Sequence, residues 1–202
     1  MSDTEKQPKL LAFAGHRKVE NKAGLGIVLR EEITRMRELL GPRVMAISSA
    51  AAGADLVFLR TCVEMRLPVV VIMPFPKERF AEEFEDPAEW KLAENLMSVA
   101  LAVYVEPGGM DTPEAYQQVS RHKLHWADAF LFAWNGEPAS APGETGETVQ
   151  EARDMGIPAR IVDAGSLITR WDVPADGLRN ARHGFPDRKE LLEFFDEKFQ
   201  EA

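Results

Sequence analysis

The sequence has almost no cysteine. Cys62 is the only one among 202 residues, and a single thiol cannot form an internal disulfide bond. Its surroundings, DLVFLRTCVEM, indicate a small apolar residue on the buried face of a helix. Because disulfide bonds are typical of secreted proteins, their absence favours the cytoplasm as the compartment of this protein.

Long apolar runs and excess positive charge are also missing. No segment approaches the ~20 consecutive apolar residues that a membrane-spanning helix needs. The first residues, MSDTEKQPK, are polar and mixed in charge, so we expect neither a signal peptide nor a membrane anchor. There are 24 Lys and Arg against 33 Asp and Glu, which gives a net charge of -9. Such a surface repels a nucleic-acid backbone, and neither DNA nor RNA is an expected partner.

Several signatures of catalysis and cofactor binding are absent. The patterns GxxxxGK[ST], GxSxG and HExxH do not occur, and the segment GLG at 24–26 is too short for a dinucleotide fingerprint. The histidines, His16, His122, His125 and His183, have no metal-ligand spacing with Cys62. His122 and His125 lie three residues apart on one predicted helix, a spacing that more often marks a polar face than a metal. We expect no metal site.

Short apolar segments alternate with helical patterns along the chain. The apolar segments lie at 10–15, 44–49, 69–74, 101–106, 129–135 and 159–164, and the helical patterns lie at 25–40, 54–66, 88–99, from Thr112 onward, at 148–156 and from Asp187 onward. The apolar segments are nearly continuous, which is typical of strands covered on both faces. The pattern predicts an α/β fold: a Rossmann-like, doubly wound, mainly parallel sheet of about six strands with helices on both faces.

The length and the 45% hydrophobic content favour one domain over 1–202. Its core is expected at about 10–163, followed by a C-terminal excursion and helix at 164–202. Residues 164–186 have no clear period, and we interpret them as an excursion over the sheet or part of an interface. Trp171, Phe185 and the aromatic C-terminal helix would suit contacts between subunits, so a homo-oligomer stays open.

The first strand ends in Gly15-His16-Arg17. Ligands of such sheets bind in the crevice outside the carboxyl ends of the strands. The glycine permits a tight turn, and the Arg17 guanidinium is suited to a bidentate hold on phosphate. The alternative interpretation is that Arg17 forms a surface ion pair and that His16 caps a helix.

The second strand leads through small residues into a helix. Free backbone N–H groups and the helix dipole make a helix N-terminus a favourable anion site, which predicts that a phosphate binds along the segment from Ser48 to Asp55. Alternatively, the alanines allow close packing of the helix on the sheet, with Ser49 as its cap.

The fifth strand ends in Trp134-Asn135 and leads to a loop rich in Pro and Gly. Gly143 lets the main chain approach a ligand, and the hydroxyls of Thr145 and Thr148 would lie beside helix amides. This loop is predicted to form a second phosphate cradle. Its alternative is a solvated loop with Thr148 as an ordinary N-cap.

These segments, in this order, resemble the SLOG superfamily, the Rossmann-like group that unites the DNA-processing DprA domain with the cytokinin-activating LOG enzymes. The matching pieces are AFAGHR, AISSAAAGADLVFLR, VVVIMPFPKERFAEEF, and AFLFAWNGEP followed by GETGETVQEARDMGIPARIVD. They cover about 150 residues, from near 10 to near 163. The likeness is greater to the sensor-type SLOG domains, which bind nucleotides or nucleotide-derived signals, than to the LOG hydrolases.

The resemblance implies a set of ligand contacts in the loops. These are Gly15, His16, Arg17, Ser49, Ala50, Gly53, Asp55, Pro74, Arg79, Trp134, Gly143, Thr145 and Thr148. Glu144 departs from the pattern, since such domains often have a glycine there and a carboxylate would repel a phosphate. The LOG pattern PGGxGTxxE is matched by residues 142–151 only with one residue inserted, which weakens the case for a phosphoribohydrolase.

Three functions follow from these observations. The first is binding of a nucleotide or nucleotide-derived, phosphate-bearing ligand by a sensor module, with no other cofactor expected. The second is hydrolysis of an N-glycosidic bond in a nucleotide, in which Glu147 or Glu151 stabilises an oxocarbenium-like centre and Arg17 grips the phosphate. The third is a structural or partner-binding domain without a ligand.

Overall fold

The computed structural model describes residues 8–106, 113–141, 143–175 and 193. Within them the strands are β1 (Lys9–Gly15), β2 (Val44–Ser48), β3 (Val69–Met73), β4 (Ala102–Val105), β5 (Ala129–Trp134), β6 (Ala159–Asp163) and β7 (Thr169–Val173). The helices are α1 (Lys22–Leu40), α2 (Ala54–Glu64), α3 (Lys77–Ala81), α4 (Pro87–Ser98), α5 (Pro113–Trp126) and α6 (Thr145–Asp154). None of the helices described here is long and apolar enough to cross a membrane.

The strands form one sheet in the order β4-β3-β2-β1-β5-β6-β7. All neighbours are parallel except β6 and β7, which are antiparallel. From β1 the chain winds to one edge through β2, β3 and β4, and then crosses back to β5 on the other side of β1. The order therefore reverses between β1 and β5, and this switch point is where such sheets open a ligand crevice. Gly15 of β1 pairs with Ala133 of β5 at that edge.

Each face of the sheet is covered by a hydrophobic layer. Leu11 and Phe13 of β1 belong to the layer under α1, α2 and α4, where Phe13 stacks on Phe58 with ring centroids 4.4 Å apart. Leu10 and Ala12 point to the opposite face and belong to the layer under α5 and α6. Since successive strand side chains alternate between faces, a strand that is buried throughout requires helices on both. The doubly wound α/β prediction is confirmed.

The sheet has one strand more than the six predicted from sequence. Strand β7 lies in the segment 164–186, for which the sequence predicts an excursion over the sheet or part of an interface. Residues 169–173 belong to the sheet itself, so for them the excursion is wrong, and the interface stays a prediction. Its sequence TRWDV lacks an apolar run because β7 is an edge strand with only partly covered residues. The predicted cap at Thr112 and the helix from Asp187 fall outside the described residues, apart from residue 193.

The start of α6 differs from the prediction. The helix begins at Thr145, three residues before the expected start, with Glu144 as its N-cap. Thr148 is therefore not the cap but a buried residue within the helix. Glycine has a low helix propensity. Gly146 therefore makes the first turn of α6 difficult to recognise in the sequence. Likewise α2 is preceded by Gly53 as N-cap and not by Ser49, and α3 is too short to show a period.

Candidate functional site

The loops after β1 and β5 contact each other at the switch point. The His16 amide donates to the Ala133 carbonyl over 3.1 Å. The ring Nε2 of His16 lies 2.9 Å from Asn135 Oδ1 and 3.2 Å from the Asn135 amide nitrogen. Gly15 is packed so tightly that an added Cβ would lie 2.6 Å from the Ala54 Cβ. His16 and Asn135, both predicted ligand contacts, therefore connect the loops after β1 and β5 by hydrogen bonds.

Arg17 reaches across the mouth of the crevice. Its Nη2 donates to the Tyr116 hydroxyl over 3.0 Å, and Nη1 lies 3.4 Å from Glu83 Oε2. Glu83 in turn accepts from Arg79 Nη1 through Oε1 over 2.8 Å. The side chains of Arg17 and Arg79 keep 43% and 30% of their surface exposed. Two arginines that were predicted to bind ligand are thus brought together by one carboxylate.

The protonation states in this cluster are set by its hydrogen bonds and charges. Partial burial opposes ionisation of Glu83, but hydrogen bonds from Tyr116 and Arg79 and the charge of Arg17 outweigh it, so the pKa of Glu83 is lowered. Burial and the hydrogen bond to Glu83 raise the pKa of Tyr116 to about 12. Near neutral pH the phenol therefore donates to an ionised Glu83 and accepts from Arg17.

The end of β3 contributes through side chains that follow Pro74. Pro74 is buried. The Phe75 ring meets the Tyr116 ring edge to face at 5.4 Å, and the Arg79 guanidinium lies 4.9 Å from the Phe75 centroid. The rings of Phe75 and Tyr116 therefore pack against the arginine cluster. A cation over the face of an aromatic ring is attracted to that ring.

The start of α2 packs against the end of β1. The amide of Ala54 donates to the His16 carbonyl over 3.0 Å, and the amide of Gly53 donates to Glu89 Oε1 over 3.2 Å. Gly53 has a φ of 85°, and an added Cβ would lie 2.1 Å from the Arg17 carbonyl oxygen. Glycine is required there by both the positive φ and the close approach. Two backbone amides of the predicted anion site, those of Gly53 and Ala54, therefore donate to acceptors within the protein.

Beneath this loop lies a buried lysine that sequence reasoning missed. Lys123 Nζ donates to the Phe13 carbonyl over 3.1 Å and to Ser49 Oγ over 3.2 Å. Burial lowers the pKa of Lys123, whereas burial raises the pKa of Asp55 against the opposing charge of Lys123. Asp55 Oδ1 and the hydroxyl of Ser48, which is also buried, have no hydrogen-bond partner within the described residues. Ala50 is buried beside them.

The loop before α6 is held by a glutamate. Glu147 accepts from the Gly143 amide through Oε2 over 2.5 Å and from Gln117 Nε2 through Oε1 over 2.8 Å. Thr145 is 8% exposed and Thr148 is 1% exposed. The hydroxyl of Thr148 donates to Ser120 Oγ over 3.2 Å. Thr145 thus lies at the start of α6 and Thr148 lies about one turn further on, and both side chains are buried.

Glu144, the residue that departs from the family pattern, turns along its own loop. It accepts from the Ser140 amide over 2.7 Å and from the Ser140 hydroxyl over 3.0 Å. These hydrogen bonds, the backbone one first, lower the pKa of Glu144. The Glu144 carboxylate is therefore ionised near neutral pH and is held within its own loop by Ser140.

A cavity of about 580 Å³ adjoins this loop, and its lining includes Trp134, Ser140, Gly146, Glu147 and Arg153. Trp134 Nε1 donates to the Glu137 carbonyl over 2.8 Å, and its ring lies 5.5 Å from the Arg153 guanidinium. Arg153 also forms an ion pair with Asp172. Trp134, a predicted ligand contact, is thus an aromatic wall of the cavity.

One face of α5 links all three loops. Tyr116 contacts Arg17, Gln117 contacts Glu147, Ser120 contacts Thr148 and Lys123 contacts Ser49. Sequence analysis predicted no role in the site for any of these four residues of α5. The available signal was their spacing: residues 116, 120 and 123 recur at helical intervals, which places polar groups on a face that otherwise packs on the sheet.

The residues named for a hydrolase and for a metal have other partners here. Glu151 lies one helical turn beyond Glu147, and burial together with the charge of Glu147 raises the pKa of Glu151. His122 pairs with Glu106 and stacks on Trp126. In the described ranges, no three His, Cys, Asp or Glu side chains converge as a metal site.

Comparisons with known proteins give similarity in structure only. No family model matches the sequence, and no curated protein is similar to it in sequence. The X-ray structure of DNA processing protein A (DprA) from Streptococcus pneumoniae matches 78% of this chain with a TM-score of 0.52 and 14% identity. This chain spans 50% of the length of that structure. The structural-genomics target TM1055 matches 75% of this chain and 72% of its own, with a TM-score of 0.46 and 17% identity.

At 14% identity the likeness to DNA processing protein A is informative about the fold. The sheet order derived above is that of a doubly wound domain. The chain therefore shares the Rossmann-like fold of DNA processing protein A, the fold that the resemblance to the SLOG superfamily implied.

Proposed function

We propose that the crevice between β1 and β5 binds a nucleotide or nucleotide-derived ligand through its phosphate. One observation carries the proposal: the partly exposed guanidiniums of Arg17, which follows β1, and Arg79, which lies in α3 after β3, meet over a single carboxylate. Guanidinium groups bind phosphate oxygens bidentately, and the switch point is where α/β sheets hold ligands. A cavity lined by the loop before α6 and by α6 itself has Trp134 as an aromatic wall.

The protein would act in the cytoplasm as a sensor module. Binding of the ligand in the crevice would be signalled to a partner or to a second copy of the protein. The three loops are joined through α5, so a ligand that moves one of them changes contacts of the others. This coupling supports a sensor more directly than a hydrolase. Both oxygens of Glu147, one of the two carboxylates that hydrolysis could use, accept hydrogen bonds, Oε2 from the Gly143 amide and Oε1 from Gln117.

Calorimetric titration with AMP, NAD and cyclic dinucleotides tests the proposal. Replacing Arg17 by alanine is expected to weaken binding about 10-fold to 100-fold, the effect of losing hydrogen bonds to a charged group. Arg60→Ala is the matched control, because Arg60 is similarly exposed and also paired with a glutamate, Glu64, but lies in the body of α2. Wild-type protein that ignores all these nucleotides would rule out the proposal in favour of a domain without a ligand.

Chromatography of the incubated nucleotides separates binding from hydrolysis. We expect intact AMP and NAD after prolonged incubation with the wild-type protein. Release of free base, abolished by Glu147→Gln, would replace the sensor proposal by the N-glycosidic hydrolase.

A further inference from the structure

The turn between α3 and α4, residues 82–86, is fastened to the mouth of the crevice by Arg17. Arg17 Nη1 lies 3.5 Å from the backbone carbonyl oxygen of Glu83 and 3.4 Å from its carboxylate Oε2. Nη2 of the same guanidinium donates to the Tyr116 hydroxyl, and that phenol donates to the Glu83 carboxylate. Both terminal nitrogens of Arg17 therefore have partners within the protein.

The helices on either side of this turn are anchored without Arg17. Phe80 of α3 is fully buried, and Leu96 of α4 is buried as well. Glu89, in the first turn of α4, accepts from the Gly53 amide and from Lys22. By contrast, none of residues 82–86 is buried. Loss of the Arg17 contacts would therefore loosen the turn and leave α3 and α4 in place.

A ligand phosphate competes with the turn for Arg17. A phosphate that is bound bidentately uses two N–H groups of one guanidinium, and the terminal nitrogens of Arg17 already contact Glu83 and Tyr116. The Arg17 side chain is 43% exposed, so its ion pair is weak enough to be exchanged for an incoming anion. Breaking these contacts costs the same free energy for every ligand that binds Arg17.

We propose that a phosphate bound at Arg17 releases the 82–86 turn, and that this turn is the element by which the crevice signals that it is occupied. The inference rests on the proposed function, since it assumes that phosphate binds at Arg17, and it adds the regulation of that site. Glu83 is a tethered competitor, so the fastened turn and the bound phosphate exclude each other. By reciprocity, a partner that binds the released turn would raise the affinity for the ligand.

Hydrogen–deuterium exchange of the full chain, with and without saturating AMP, tests the release. The amides of residues 82, 83 and 84 donate to the carbonyls of residues 79, 80 and 81, so their exchange reports whether the turn is closed. AMP should make these amides exchange several-fold faster. The turn after α2 is the internal control, because the amides of Met65 and Arg66 are bonded in a similar way, and its exchange should not change.

Arg17→Ala tests the fastening in the absence of any nucleotide. The variant lacks the guanidinium that contacts Glu83, so residues 82–84 should exchange several-fold faster than in the wild type. Arg60→Ala is the matched control, because it also removes an exposed arginine that is paired with a glutamate. The control should leave the exchange of residues 82–84 unchanged.

Glu83→Gln tests the competition, since it keeps the shape of the side chain but removes the charge. It should bind AMP about three- to tenfold more tightly than the wild type does, which is the order of one or two exposed ion pairs. Glu82→Gln is the matched control: Glu82 is 72% exposed and lies 3.7 Å from Arg79. This control should keep the wild-type affinity within about twofold. A thermal melt of each variant verifies that the fold is intact.

Each other outcome has a definite meaning. Unchanged or slower exchange of residues 82–84 in protein saturated with AMP overturns the release and leaves the proposed function standing. Slow exchange in Arg17→Ala overturns it whatever the nucleotide titrations give. Weaker binding of AMP by Glu83→Gln, with an unchanged melting temperature, also overturns it, because Glu83 would then help to bind the ligand. If the wild-type protein binds no nucleotide, the proposed function falls, and the inference falls with it.

Discussion

Two pairs of opposite charge flank the crevice, and both depend on α5. At the mouth, Arg17 and Glu83 form an ion pair beside Tyr116. At the floor, Asp55 and Lys123 are both buried, and the charge of each opposes the effect of burial on the pKa of the other. Tyr116 at the mouth and Lys123 at the floor both belong to α5 and lie two helical turns apart. The mouth pair is partly exposed, whereas Lys123 and Asp55 are both 3% exposed. The two pairs therefore differ in solvation far more than in chemistry.

Solvation decides what each pair can do. An ion pair in contact with water is screened and contributes about 0–1 kcal/mol, so its partners exchange readily for an incoming anion. A buried pair has lost its hydration, and removal of one partner leaves the other uncompensated. The mouth is therefore suited to binding and the floor to holding the loops in place. Three variants sharpen this contrast.

Replacement of Lys123 by methionine should have the largest effect. The substitution removes the donor to Ser49 and Phe13 and leaves Asp55 buried without its counter-charge. We expect the free energy of unfolding to fall by about 3–5 kcal/mol, measured by urea denaturation. Arg17→Ala, at the mouth, should lower it by less than about 1 kcal/mol. Equal losses for the two variants would contradict the division into floor and mouth.

The second variant concerns the contact between the loops. Gly53→Ala forces a Cβ to within 2.1 Å of the Arg17 carbonyl oxygen, a backbone atom that cannot move away alone. Gly41→Ala is the control, because Gly41 has a similar φ of 98° and nothing within 4 Å of the added Cβ. Gly53→Ala should destabilise the protein by about 1–3 kcal/mol more than the control does. If denaturation midpoints of the two variants coincide, the close approach is not present in solution.

Much of the fold could be predicted from sequence because its signal is local. Segments such as VVVIM and AFLFAW are apolar throughout, and a strand with that pattern needs cover on both faces. Strand β7 gave no such signal. Two of its side chains contact neighbouring elements. Asp172 forms an ion pair with Arg153 of α6, and Trp171 lies beneath the Arg160 guanidinium of β6. Such contacts between distant residues leave no period in the sequence.

The candidate site was predictable only where it lies at strand ends. His16, Arg17 and Asn135 follow directly from the rule that ligands bind at the carboxyl ends of parallel strands. Glu83 and Tyr116 do not, because they reach the crevice from a turn after α3 and from one face of α5. Their roles depend on which side chains meet in three dimensions. No pattern of residue types within either segment encodes that meeting.

The third variant gives the smallest effect and tests the mouth without any ligand. The chain has two tyrosines, so in a Tyr104→Phe background the ultraviolet absorbance of tyrosinate reports Tyr116 alone. Its pKa should lie at about 12. Glu83→Gln should lower it towards, though not to, the ordinary value near 10, because burial remains while the charge that opposes ionisation is gone. Glu82→Gln in the same background should leave it unchanged.

The raised pKa of Tyr116 also makes the free energy of unfolding depend on pH. A phenol whose pKa is raised in the folded state stabilises the fold below the pKa of the unfolded chain, near 10. This contribution is lost as pH rises from about 10 through 12. Above pH 10 the free energy of unfolding should therefore fall more steeply with pH when Tyr116 is present than in Tyr116→Phe. Parallel slopes would mean that neither burial nor Glu83 raises the pKa of Tyr116 in the folded protein.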